Sequence, residues 1–297
     1  MSDAPRPAGA SADGGLGTVA PALFVVLWAT GFVVARLAMP HAPPLGFLAL
    51  RFAMTLVALA PLILLARAPG PDRRTAGHLA VAGLMIHAAY LAGVWAAVAA
   101  GMSAGVVALI VNLQPVLTAI WMALGTERIG VRRWLGLALG LGGVALVVAH
   151  RIGTEGLAPS SIALAALGLV AITAGTLYQR RHAPSFDLRT GSFVQYAAAF
   201  AATAPLAAVL EPGARWDWGA PLAFALAWSV FALSIGGVFL MYLLNRRGSA
   251  TRVASLFYLV PPVTALQAWL LFDEPFGMRA AVGMALVAVG VGLAVRR

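Results

Sequence analysis

The chain has 297 residues, 61% of them hydrophobic and 10% charged, with a mean hydropathy of +0.91. So much apolar surface excludes a water-soluble domain and defines an integral membrane protein. The net charge of +10 comes from dispersed arginines, which excludes a nucleic-acid-binding face, and the lack of cysteine excludes disulfides, thiolate metal sites and a cysteine nucleophile.

At about 20 apolar residues per crossing, this length divides into about ten spans with short connections. Residues 1–17 (MSDAPRPAGASADGGLG) are rich in Pro, Gly, Ala and Ser and read as a disordered cytoplasmic tail. Predicted spans follow at 18–39, 45–66, 78–99, 102–125, 133–149, 160–179, 190–210, 218–244, 250–272 and 278–295. Prolines in PHAPP end the first, and RAPGPDRR follows the second. The fold class is therefore all-α, with ten transmembrane helices.

The chain writes part of itself twice. Residues 106–148 align without a gap on residues 253–295 at an offset of 147, which pairs Pro115 with Pro262, Glu127 with Glu274, Arg132 with Arg279, Gly136 with Gly283 and Gly143 with Gly290. Earlier helices match at an offset of 144, through Gly31 and Gly175, Arg36 and Arg180, and Pro61 and Pro205. Two repeats result, 18–149 (helices one to five) and 160–295 (helices six to ten). An odd number of spans per repeat forces the second copy to enter the membrane inverted. Such a pair encloses a midplane site that can open to either face, the architecture of secondary transporters.

Orientation follows from arginine. With the N-terminus in the cytoplasm, the inner segments hold Arg6, Arg67, Arg73, Arg74, Arg128, Arg132, Arg133, Arg180, Arg181, Arg189, Arg246, Arg247, Arg252, Arg296 and Arg297, and the outer loops keep only Arg151, Arg215 and Arg279. Both termini are expected in the cytoplasm.

Trp28, Gly31, Phe32 and Arg36 in the first helix, then Pro43, Pro44, Arg51 and Phe52 in the second, form a recognisable pattern. In each half a helical Pro, a loop Glu and two Gly follow in order: Pro115, Glu127, Gly136 and Gly143, then Pro262, Glu274, Gly283 and Gly290. Over about Val19 to Val295 the chain resembles the EamA-type drug/metabolite transporters, most closely those that export aromatic amino acids. The resemblance implies export of amino acids or related metabolites and a cavity lined by helices one, three, four, six, eight and nine. It also implies a bacterial inner-membrane location. Ala29 and Gly31 stand where the family often has Gly and a polar residue, which removes one polar contact.

Substrate contacts must be polar or aromatic and deep in a span. His87, Tyr90 and Trp95 in the third helix and Trp228 and Tyr242 in the eighth meet this condition, as do Trp28, Asn112, Tyr178 and Tyr258. Arg36 could attract a substrate carboxylate or snorkel from a helix end. Pro115 and Pro262 read as kinks that can line a cavity, Glu127 and Glu274 as caps paired with arginines, and the four glycines as a close-packing stripe. All ten acidic residues lie in the tail, loops or helix ends, so a buried carboxylate relay is not expected.

The expected activity is facilitated export of neutral and aromatic amino acids by alternating access. Three alternatives stay open: export of aromatic drugs or nucleobase-like metabolites, proton coupling through His87, and a non-transporting membrane sensor. An enzyme is not expected, because the histidines are scattered and no HExxH, GxSxG or paired acidic motif occurs. No cofactor or metal is called for. The partners are a small-molecule substrate and the lipid bilayer, without nucleic acid, in a monomer or homodimer.

Overall fold

The computed structural model describes residues 13–126, 131–155, 158–240, 244, 256–274 and 277–295. Every regular element among them is helical. In order these are α1 (Asp13–Ala38), α2 (Pro44–Leu65), α3 (Arg73–Ala99), α4 in two pieces (Ala104–Val111 and Gln114–Thr126) and α5 (Val131–Glu155). There follow α6 (Pro159–His182), α7 (Leu188–Leu210), α8 (Ala220–Leu240), α9 (Val260–Phe272) and α10 (Met278–Val295).

Six helices, α1, α2, α3, α6, α7 and α8, are long and apolar enough to cross a membrane; α4, α5, α9 and α10 carry shorter apolar stretches. Their outer faces are greasy: Val57, Leu64, Leu65, Trp121, Leu210, Phe231 and Leu270 are all exposed. Water does not tolerate such a surface and hydrocarbon does, so the chain is a multi-pass membrane protein.

Local chemistry sets the helix starts. The Asp72 carboxylate accepts from the backbone N–H groups of Arg74 and Thr75 to cap α3, and Asp187 accepts from those of Arg189 and Thr190 to cap α7. The Thr75 hydroxyl also donates to Asp72, and this bond leads in holding its pKa below the usual aspartate value. Pro44, Pro159 and Pro221 open α2, α6 and α8, where a missing N–H costs nothing.

Two helices carry widened turns, Leu84–Ala89 in α3 and Trp228–Gly237 in α8. The first, shifted by the repeat offset, falls inside the second. The helical path also breaks at Asn112 between the two pieces of α4, and a tight turn, Phe257–Leu259, precedes α9 at the matching place. Pro115 and Pro262 thus sit in the first turn after a break, rather than kinking a continuous helix.

Helix packing respects the repeat. Helix α5 lies on α10, α2 on α7, and α4 on α9. The pairs α3 with α6 and α8 with α1 also form, as do α3 with α7 and α8 with α2, and α9 with α1 and α4 with α6. Exchanging each helix for its counterpart in the other copy returns the same pairs. At the α5–α10 contact the glycines cross: a Cβ on Gly143 would lie 2.5 Å from the Gly283 carbonyl oxygen, and one on Gly290 would lie 2.5 Å from that of Gly136. The two helices therefore run antiparallel with backbones touching, which only glycine permits.

The core draws mainly on α1, α2, α3, α4 and α8, with residues of α6, α7 and α9 packed into it. Phe47 stacks on Trp95 with ring centroids 4.5 Å apart, and Phe24, Phe47, Phe52, Trp95 and Tyr196 are almost fully buried. Each such aromatic pair adds about 0.5–1.5 kcal/mol beyond the area it buries.

Candidate functional site: a cavity between the two halves

A cavity of about 110 Å³ opens among α1, α2, α3, α6, α7 and α8. At about 10–15 Å³ for one water-sized occupant, it has room for about seven to eleven non-hydrogen atoms. Apolar and aromatic side chains form most of the wall: Trp28 and Phe32 from α1, Ile86, Tyr90, Leu91 and Trp95 from α3, Ile172 from α6, Tyr196 from α7, and Leu233 and Val238 from α8. Gly31, Val94, Arg51 and His87 are the other described residues of the wall.

The polar groups are held from behind. Arg51, 6% exposed, donates through Nε and Nη2 to the Ser234 hydroxyl at 3.2 and 3.1 Å, with its Cζ 6.0 Å from the centre of the Trp95 ring. The Tyr196 hydroxyl donates to the Ser234 carbonyl at 3.5 Å. His87 donates from Nε2 to Gln195 Oε1 at 3.1 Å, and Gln195 in turn donates to Gln179 Oε1 at 2.9 Å. The His87 ring lies against Tyr196 with centroids 4.3 Å apart. Ser234 and His87 both sit in the widened turns, a helix geometry frequent at functional sites.

Of the residues singled out from the sequence, Trp28, His87, Tyr90 and Trp95 are brought together on this wall. Others lie elsewhere. Asn112 is buried at the break in α4 and donates to the Ala108 carbonyl at 2.7 Å. Tyr178 meets His78 at 2.8 Å and stacks on His182 at the end of α6, outside the cavity. Trp228 donates from its indole nitrogen to the Thr30 hydroxyl at 2.8 Å and stacks on Phe224. Arg36, 44% exposed in its side chain, pairs with Glu274 at 3.5 Å and is not among the cavity residues. Glu274 also accepts from the N–H of Ala104 at 3.4 Å, at the start of α4. The four motif glycines, Gly136, Gly143, Gly283 and Gly290, form the α5–α10 contact rather than the cavity. Glu127, Tyr242 and the side chain of Tyr258 lie outside the described residues.

Three polar participants escaped the search for lone deep polar or aromatic groups: Gln195, Tyr196 and Ser234. The repeat itself signals them. Arg51 and Phe52 shifted by 144 give Gln195 and Tyr196, and His87 shifted by 147 gives Ser234.

A helical membrane protein whose interior cavity couples an apolar wall to a few anchored polar groups has the build of a small-molecule transporter. Residues 16–149 and 159–296 match the EamA-like transporter family, and the chain belongs to that family. Over 298 residues it is 27% identical to a probable amino-acid metabolite efflux pump of Salmonella typhimurium, covering 93% of this chain and 95% of that protein. It is 26% identical to the Escherichia coli protein of the same description, covering 91% of each, and 25% identical to the uncharacterised transporter YvbV of Bacillus subtilis, covering 92% of this chain and 89% of that one. A solved crystal structure shares the fold with a TM-score of 0.64 at 21% identity, over 93% of this chain and 95% of its own. Family and named relatives are transporters, not enzymes.

Proposed function

We propose that this chain exports small neutral amino acids and related metabolites, aromatic ones included, by alternating access through the cavity between its two halves. The observation that carries the reading is the cavity itself: an aromatic, largely apolar pocket deep in a membrane protein, with polar groups reaching it from both repeats. Its volume suits threonine, leucine or methionine in the present conformation. Stacking on Trp28, Tyr90 and Trp95 holds an apolar body, and Arg51 and His87 orient a polar head.

The inverted relation of the halves supports the rocking motion. Crossed glycine contacts between antiparallel α5 and α10 are what a two-fold axis perpendicular to those helices produces, and such an axis lies in the membrane plane. Ten spans and a bacterial inner-membrane location complete the proposal, with both termini in the cytoplasm on the strength of the arginine distribution. Facilitated diffusion is the mode of transport proposed, and it fits a cavity whose described lining residues include no acidic side chain to relay protons. His87, the one histidine among the described residues lining the cavity, is the observation favouring the second reading, proton coupling.

Export from cells tests the function. Cells producing the protein and fed dipeptides should release the liberated neutral amino acids faster than cells producing none. Equal release, with the protein shown to be in the membrane, would sink the assignment.

A further inference from the structure

Among the described residues lining the cavity, Arg51 carries the one permanent charge. It is buried, and among the described residues no carboxylate pairs with it: its acceptor is the neutral Ser234 hydroxyl, shared by two of the five N–H donors that a guanidinium presents. The remaining donors have no acceptor among the described residues. A cation buried inside a bilayer protein without a counter-charge is expensive, and such groups mark the place where an anion is received. Guanidinium is also the side chain shaped to hold a carboxylate with two parallel hydrogen bonds.

The complementary observation concerns the other end of an amino acid. Among the described residues no Asp or Glu lines the cavity, so an ammonium group finds ring faces, hydroxyls and the neutral His87 ring there, beside a fixed positive charge. One cation and no anion balance a monoanion. A zwitterion carries its own opposing charge into the pocket, and a dianion is neutralised only in part.

We propose that the cavity binds an apolar monocarboxylate through Arg51, the carboxylate being obligatory and the α-amino group dispensable. Deaminated or hydroxylated relatives of neutral amino acids are then ligands as good as the amino acids themselves. This rests on the reading of the cavity as the substrate site. Arg51 binds directly, and Ser234 positions it.

Three ligands with one isobutyl body separate the groups: leucine (both charges), 2-hydroxy-4-methylpentanoate (carboxylate alone) and leucinol (ammonium alone). Binding to the purified full chain is read from tryptophan fluorescence, since Trp28 and Trp95 line the cavity. The expected result is similar affinity for leucine and the hydroxy acid, with leucinol weaker by about tenfold or more. Arg51→Gln should weaken both carboxylates by about ten- to a hundredfold and leave leucinol unchanged or tighter, and Arg51→Lys should recover part of the loss. Ser234→Ala, which keeps the charge, should weaken the carboxylates less than Arg51→Gln does. Without ligand, Arg51→Met should melt at the same or a higher temperature than the parent, because an unpaired buried charge is removed; a structural arginine would give the opposite.

The inference is overturned if leucinol binds as well as leucine, if Arg51→Gln keeps its carboxylate affinity, or if Arg51→Met melts lower. Silence from all three ligands on folded protein overturns it too. Cellular release of amino acids then decides separately whether the export reading stands.

Discussion

Arg51 on α2 donates to the hydroxyl of Ser234 on α8, 183 positions away in sequence, and this bond has a twin. Its counterpart in the other copy of the repeat is the bond between Gln195 on α7 and His87 on α3. Two equivalent polar pairs thus reach the cavity, and Phe52 touches Tyr196, its own counterpart, with centroids 5.9 Å apart. The chemistry of the copies has diverged. Arg51, His87, Trp28 and Tyr90 come from the first copy, where the second has Gln195, Ser234, Ile172 and Gly237. The frame is symmetric and the polarity one-sided.

His87 tests the coupling. If transport is facilitated, flux through the parent protein is independent of an imposed pH gradient. His87→Gln should then raise KM by about tenfold through its weakened bond to Gln195, without changing the pH profile. A gradient-driven flux that His87→Gln abolishes would establish proton coupling in its place.

Neighbouring glycines give a contrast in packing. Gly143→Ala puts a methyl against the Gly283 carbonyl at 2.5 Å and should destabilise the protein by about 1–3 kcal/mol, read by thermal unfolding in detergent. Gly142 has nothing within 4 Å of a Cβ. Gly142→Ala should be neutral or stabilising by up to about 1 kcal/mol. Equal effects at the two positions would contradict the close approach of α5 and α10.

The cap on α7 predicts a dependence on pH. A side-chain hydrogen bond from Arg189 leads in holding the Asp187 carboxyl below its ordinary pKa. A pKa depressed by folding contributes stability above the unfolded value, about 4, and loses it as pH falls through the folded value. Asp187→Ala should cost about 1 kcal/mol at neutral pH, and the difference from the parent should shrink in acid. A constant difference from neutral to acid pH would show that the ionised cap is not its source.

Much of this was legible in the chain. The helical frame, its repeat and the wall residues Trp28, His87, Tyr90 and Trp95 follow from hydropathy, offsets and helical spacing. Trp228 and Tyr178 show where that reading runs out. Both are aromatic and lie at plausible depth, yet each spends its polar atom on a neighbouring helix, on Thr30 and on His78. A single helix's period cannot reveal a partner on another. Arg51 was visible as part of a motif, but its lack of a counter-charge appears only when the surrounding helices are in place. Gln195 and Ser234 are legible as well, as the counterparts of Arg51 and His87 at offsets of 144 and 147.

The most direct test is flux in proteoliposomes containing the purified protein, with labelled Trp, Phe, Thr, Met, Ala and Glu, with and without a pH gradient. Saturable movement of the neutral amino acids, without any need for the gradient, is the predicted result. No flux of any of them, from protein shown to be folded and inserted, would contradict the account of the cavity as an amino-acid pathway.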